Sequence, residues 1–142
     1  MSTSRSEKKK LIRELENDGR VQSVVKPTGY KSRSAWEVET EESTKMIWVT
    51  YSRFAGDSTA KESPFYGSTW DSINNLRQHH PLYLIFLGTS DEYRWTIPFP
   101  NFISRFDISE KKKDHAWKFN FDHGDNRNLL PEYRGIEPLF EY

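Results

Sequence analysis

Leu82-Tyr-Leu-Ile-Phe-Leu87 is the longest uninterrupted apolar run in the chain. It falls far short of the roughly 20 residues that span a bilayer. Successive side chains of a strand point to opposite faces, so a run apolar at every position belongs in a sheet covered on both sides. Pro81 precedes the run and Gly88 follows it, which fixes both ends of a central strand. A chain of 142 residues has enough material for such a layered core within one domain. Only 35% of the residues are hydrophobic but 15% are aromatic, so large rings must supply much of that core.

The remaining elements fall around this strand. Ser4-Arg-Ser-Glu7 reads as a capping box, and Leu11, Ile12 and Leu15 give one apolar stripe, so a first helix is predicted over about 5–17. Gly19 is expected to end it in the left-handed conformation. Val21–Val25, Ser34–Glu39 and Lys45–Tyr51 are rich in β-formers and predict three strands. A Pro27/Gly29 turn separates the first two, and the polar stretch 40–44 makes a hairpin of the second and third. Residues 52–67 read as a long polar loop, and Trp70, Ile73 and Leu76 predict a second helix over about 69–79. Beyond the central strand, Gly88–Asp91 turns the chain into Tyr93–Ile97, with Tyr93, Trp95 and Ile97 on one face and Arg94 and Thr96 on the other. Asn101–Phe106 predicts a short helical turn, and Trp117, Phe119 and Phe121 alternate in a last strand. The tail from Gly124 to Tyr142 carries Pro131 and Pro138 among apolar residues and is expected to pack without regular structure. The fold class is therefore α/β, with a central mixed sheet flanked by helices. One domain is expected over 1–142, with its core at about 5–100 and a strand and packing tail at about 115–142.

Charge narrows the function classes. Lys and Arg number 21, equal to Asp and Glu, so a general coat for nucleic acid is disfavoured. The balance is uneven along the chain: the first 33 residues hold nine Lys and Arg but four acids, and the rest carries the compensating negative charge. A basic head on an acidic body suits a local polyanion site. Tyr30-Lys-Ser-Arg-Ser-Ala-Trp36 and Tyr51-Ser-Arg-Phe54 interleave rings with cations. Lys26, Lys31, Arg33, Arg53 and Lys61 are the candidate phosphate contacts, with rings available for bases.

Cysteine is absent, which excludes disulfides and thiol catalysis and fits an intracellular, cytoplasmic protein. The amino-terminal residues show no apolar segment of the secretory type, so neither secretion nor membrane insertion is expected. His79 and His80 are adjacent and lack the spacing of a zinc pair, and Asp122-His-Gly-Asp-Asn126 lacks that of a calcium loop. Neither a nucleotide-binding glycine loop nor a serine hydrolase elbow occurs.

The predicted succession of a helix, three strands, a helix and a central strand is αβββαβ. Together with the charged helix ending Leu15-Glu-Asn-Asp-Gly19, the Pro27/Gly29 turn and the strand Tyr93-Arg-Trp-Thr-Ile-Pro98, it resembles the PD-(D/E)XK nuclease superfamily. Type II restriction endonucleases and Holliday-junction resolvases share that fold. The resemblance implies an acid on the second strand, an (Asp/Glu)-x-Lys triplet on the third and a Mg²⁺ ion between them, polarising a phosphate. Glu37 and Glu39 stand on the second strand and would be the metal ligands, Glu14 on the first helix is an additional acid, and Lys45 is a displaced base. The third strand, Met46-Ile-Trp-Val-Thr-Tyr-Ser-Arg53, has no carboxylate. The expected function is accordingly a DNA-associated protein that binds through the basic head and the 52–68 loop, with no cofactor. A Mg²⁺-dependent endonuclease using Glu14, Glu37, Glu39 and Lys45 is the alternative, and a protein-interaction module a further one. A homodimer is left open.

Overall fold

The computed structural model describes residues 3–27, 34–52, 65–69, 81–89, 93–105, 116–120 and 131–141. Helix α1 spans Ser4–Asn17. Its cap is one residue earlier than the sequence pattern predicts. Thr3 Oγ1 accepts from the Ser6 N–H at 3.0 Å, and Ser6 Oγ accepts from the Thr3 N–H at 2.9 Å. Glu7 cannot take the capping role, because its side chain turns inward and is buried with Leu11 and Leu15. The helix stops without a left-handed glycine. Asp18 is extended, its N–H reaches the Leu15 carbonyl at 3.1 Å, and its carboxylate accepts the Arg20 N–H at 2.9 Å. A side-chain acceptor two residues back thus closes the turn that Gly19 was expected to make.

Strands β1 (Val21–Val25), β2 (Ala35–Thr40) and β3 (Thr44–Tyr51) form an antiparallel meander. The β2–β3 turn is tied by Thr40, whose N–H donates to the Ser43 carbonyl at 2.8 Å while its Oγ1 accepts the Ser43 N–H at 3.2 Å. Strand β5 (Leu82–Leu87) pairs parallel with β3, and β6 (Arg94–Pro98) pairs antiparallel with β5. The result is a five-stranded mixed sheet in the order β1-β2-β3-β5-β6. All six residues of β5 are buried, as a strand covered on both faces must be.

Two layers do the covering. Register and alternation put Val38, Ile47, Val49, Tyr83, Ile85 and Leu87 on one face, where they pack with Leu11 and Leu15 of α1 and with Ile136 and Leu139 of the tail. Met46, Leu84, Phe86, Trp95 and Ile97 face the other way and are also buried. Helix α2 (Phe99–Arg105) closes that second side, with the Phe102 ring 5.7 Å from the Phe86 ring. An α/β domain with helices on both sides of a mixed sheet follows.

Three segments differ from expectation. Residues Phe65–Thr69 form β4, which pairs antiparallel with β7 (Ala116–Asn120) in a separate two-stranded sheet. The sequence placed them in the long loop and at the start of a helix, because the pairing partner lies some 50 residues downstream. The remainder of that predicted helix, 70–79, lies outside the described residues, as do all four histidines. The tail is more regular than expected. A 3₁₀ turn at Pro131–Tyr133, a bridge between Arg134 and Trp95, and the one-turn helix α3 (Pro138–Glu141) follow in succession. This tail bonds to β6: the Thr96 hydroxyl donates to the Gly135 carbonyl at 2.7 Å, and the Gly135 N–H donates to the Arg94 carbonyl at 2.8 Å. Among the described residues no helix is long and apolar enough to cross a membrane.

Candidate nucleic-acid interface

One face of α1 buries Leu11 and Leu15, and a neighbouring face, built from positions three and four apart, carries Arg5, Lys8, Lys9 and Arg13. The chain then returns along β1, so that Lys26 just beyond the strand and Trp36 in β2 meet that basic face. Together they enclose a groove of about 820 Å³. Among the described residues, five cations line it, Ile12 and Trp36 give it an apolar wall, and Glu16 is the single acid in the lining. The amino end of α1 adds a fixed positive partial charge, since Ser4 and Arg5 form part of the rim.

Two of the cations are held in place. The half-buried Lys8 donates from Nζ to Ser34 Oγ at 3.1 Å. Lys26 donates to the carbonyl of the next residue, Ala35, at 3.3 Å, and its Nζ lies 3.8 Å from the Trp36 ring centroid. Burial pushes the Lys8 ammonium below its ordinary pKa, and the charge of Lys26 lowers it further. Burial lowers Lys26 as well. Arg5, Lys9 and Arg13 are exposed.

The candidates from the sequence are distributed as follows. Lys26 is in the groove. Lys31, Arg33, Arg53 and Lys61 lie outside the described residues. Glu14 sits on α1 and pairs with Arg94 of β6. Lys45 is buried on the α1 face, donates to the Leu139 carbonyl, and lies 5.5 Å from the Tyr83 ring and 5.8 Å from the Phe140 ring. Its pKa is lowered by burial, against the opposing charge of Glu42. Glu37 pairs in register with Met46, and Glu39 with Thr44, so both carboxylates project from the face opposite α1. Glu39 accepts a hydrogen bond from Ser23 Oγ at 3.3 Å. The sheet therefore stands between Glu37 and Glu39 on one side and Glu14 and Lys45 on the other. Among the described residues no three His, Asp or Glu side chains gather as a metal centre requires. The acidic set does not fit a Mg²⁺ ion bound between strand and helix, and no chemical step is derived from one.

Sequence reading recognised the basic head as a charge surplus and missed that Arg5, Lys8, Lys9 and Arg13 line one groove. Their spacing of three and four residues was the available signal; what it faced was set by the return of β2. Trp36 counted as core or as a base platform, and it is half-buried as the groove wall. No protein-family model, curated protein or solved structure matches this chain.

Proposed function

We propose that this chain binds nucleic acid, DNA in the first instance, through the groove between α1 and the start of β2. The observation that carries the reading is the gathering of five cations and an indole around one cleft on a chain of zero net charge. Such a cleft offers charge to phosphates and an apolar wall to a base or sugar. The antiparallel meander and the parallel β3–β5 pair agree with the strands of a restriction-endonuclease-like core, whose second helix would fall at 70–79, outside the described residues. A fold carries no chemistry by itself, so the reading rests on the cations and assigns no catalytic step to Glu14, Glu37, Glu39 or Lys45.

The test is fluorescence anisotropy with labelled single-stranded and duplex DNA between about 50 and 200 mM salt. Binding should weaken linearly on logarithmic axes. Lys9→Ser and Arg13→Ser, both at exposed positions, should each flatten the slope by about 0.7 on single strands or 0.9 on duplex for every phosphate contact removed. Absence of binding at the low-salt end, or slopes indifferent to both substitutions, rejects the reading.

A further inference from the structure

We propose that this chain forms a two-fold dimer in which strand β1 of one copy pairs antiparallel with β1 of a second copy about Val24. The inference goes beyond the nucleic-acid reading and does not rest on it. The two edges of the five-stranded sheet are treated differently. At the β6 edge the tail forms a bridge from Arg134 to Trp95, and the Gly135 N–H donates to the Arg94 carbonyl. β1 is the other edge. The Ser34 carbonyl accepts from the Val49 N–H, and the Thr40 N–H donates to the Ser43 carbonyl, so the even-numbered residues of β2 turn their backbone groups towards β3. Glu37 and Glu39 turn theirs the other way, towards Val25 and Ser23 of β1. Val24 stands between those two partners, and its N–H and C=O therefore point out of the sheet edge. The strand carries no charge from Val21 to Val25, and among the described residues Val25 is the large hydrophobic left exposed, at 49%. Such an edge is a template for another strand.

Charge selects a second copy as the strand that fits. Helix α1 runs antiparallel to β1: its amino-terminal half borders Lys26, and the Asp18 carbonyl beyond its other end accepts the Val21 N–H at 3.0 Å. Cations therefore prevail at the Val25 end of the edge, where Arg5, Lys8, Lys9 and Lys26 line the groove. Acids prevail at the Val21 end. Glu16 and Asp18 close the helix there, Glu137 joins them through Arg20, and the pairing of Val21 with Thr40 brings the exposed Glu41 and Glu42 of the β2–β3 turn to the same end. A two-fold axis at Val24 sets the acidic end of each copy against the basic end of the other, and does so twice. The assembly also closes. Pairing occupies the β1 edge of both copies, and the tail already covers β6, so the sheet does not extend beyond two chains. The bulge between Val21 and Ser23 keeps the new ladder short, which makes the dimer a reversible one.

Sedimentation velocity on the full chain over a wide range of concentration should show a monomer–dimer equilibrium that added salt moves towards monomer. In hydrogen exchange followed by NMR, the Val24 amide should exchange freely in dilute protein and more slowly as the dimer forms. Val24→Pro removes the outward N–H at a place where an edge strand tolerates proline, and should weaken dimerisation on the order of tenfold or more. Val25→Lys, at an exposed side chain, and Glu16→Lys, which reverses a charge at the acidic end, should weaken it as well. Circular dichroism and thermal melts establish that each variant folds. A protein that stays monomeric at every concentration overturns the inference, as does a dimer that survives Val24→Pro or whose Val24 amide exchanges at the monomer's rate. Indifference of the dimer to both salt and Glu16→Lys overturns it too, because the charge match is what selects a second copy.

Discussion

Arg20, in the turn after α1, holds Glu137 at the start of α3 through two parallel hydrogen bonds of 2.9 Å each. The same guanidinium bonds Asp18 at 2.8 Å and lies 3.8 Å from the Phe140 ring centroid. One side chain thereby ties the turn after the first helix to the last helix of the chain. The tail that it holds covers the sheet beside α1 and accepts the Thr96 hydroxyl of β6.

The pH dependence of this clasp follows from its carboxylates. Hydrogen bonds from Arg20 hold Asp18 and Glu137 below their ordinary values of 3.8 and 4.5, and both acids raise Arg20 further above a range in which it is always charged. A depressed carboxylate contributes stability that is complete above its unfolded pKa and is lost as pH falls through the folded one. Wild type should therefore melt above Arg20→Ala at pH 7 and pH 5, with the gap closing below about pH 4. Because Arg20 and Glu137 are exposed, added salt should narrow the gap as well. Thermal melts at several pH values check this, and a gap that persists in strong acid would falsify it.

Lys45 should shift stability in the same direction, but on the alkaline side. Burial lowers its pKa, so the unfolded chain holds the proton more tightly than the folded one, and stability rises with pH between the folded value and the ordinary 10.5. The Tyr83 hydroxyl beside it is pushed above 10 by burial and begins to oppose the gain only beyond that point. As pH rises from 7 towards 10 the wild type should therefore gain stability relative to Lys45→Met. Parallel urea titrations of the two proteins measure it; a constant difference means that the ammonium pays no desolvation penalty.

Gly135 is the described glycine with a positive φ, at 75°, between the 3₁₀ turn and α3. Nothing lies within 4 Å of where a Cβ would stand, so a substitution there meets no clash and only backbone strain. Gly135→Ala should cost about 1–2 kcal/mol in urea unfolding, and Gly135→Asn less, because Asn tolerates the left-handed region. A neutral Gly135→Ala would mean that the tail can leave the sheet without loss.

What the sequence disclosed depends on how local its cause is. The run Leu82–Leu87 and the β-branched stretches of β1 to β3 carry their periodicity within a few residues, and those strands fall within a residue or so of expectation. Phe65–Thr69 becomes a strand through residues 116–120, which no local pattern reveals. Alternation put Arg94 and Thr96 on one face of their strand, and both are buried there by distant partners, Glu14 of α1 for Arg94 and Gly135 of the tail for Thr96. The acidic candidates show the same limit. Glu37 and Glu39 share a face by alternation, as read, but which face α1 covers is decided by Val38 and Ile47, and it is the other one. The groove was legible as charge in the first 33 residues, and its wall was not, since Trp36 joins it only through the β1–β2 pairing.

Glu7 provides the last prediction. Its side chain is 3% exposed, on the helix face shared with Leu11 and Leu15, and neither carboxylate oxygen has a hydrogen-bond partner. The nearest cation, Lys10 Nζ, stands 3.4 Å away on a side chain that is 58% exposed, which is poor compensation for the loss of water. A buried carboxylate without hydrogen bonds costs about 1–3 kcal/mol more than the same group in solvent. Glu7→Leu extends the apolar stripe by one turn and removes that cost, while Lys10 stays hydrated. The variant should be more stable than wild type by about 1–3 kcal/mol in urea unfolding, and Glu7→Gln should gain much less, since an amide still lacks partners. Destabilisation by Glu7→Leu would assign the carboxylate a structural partner and remove it from the cost of folding.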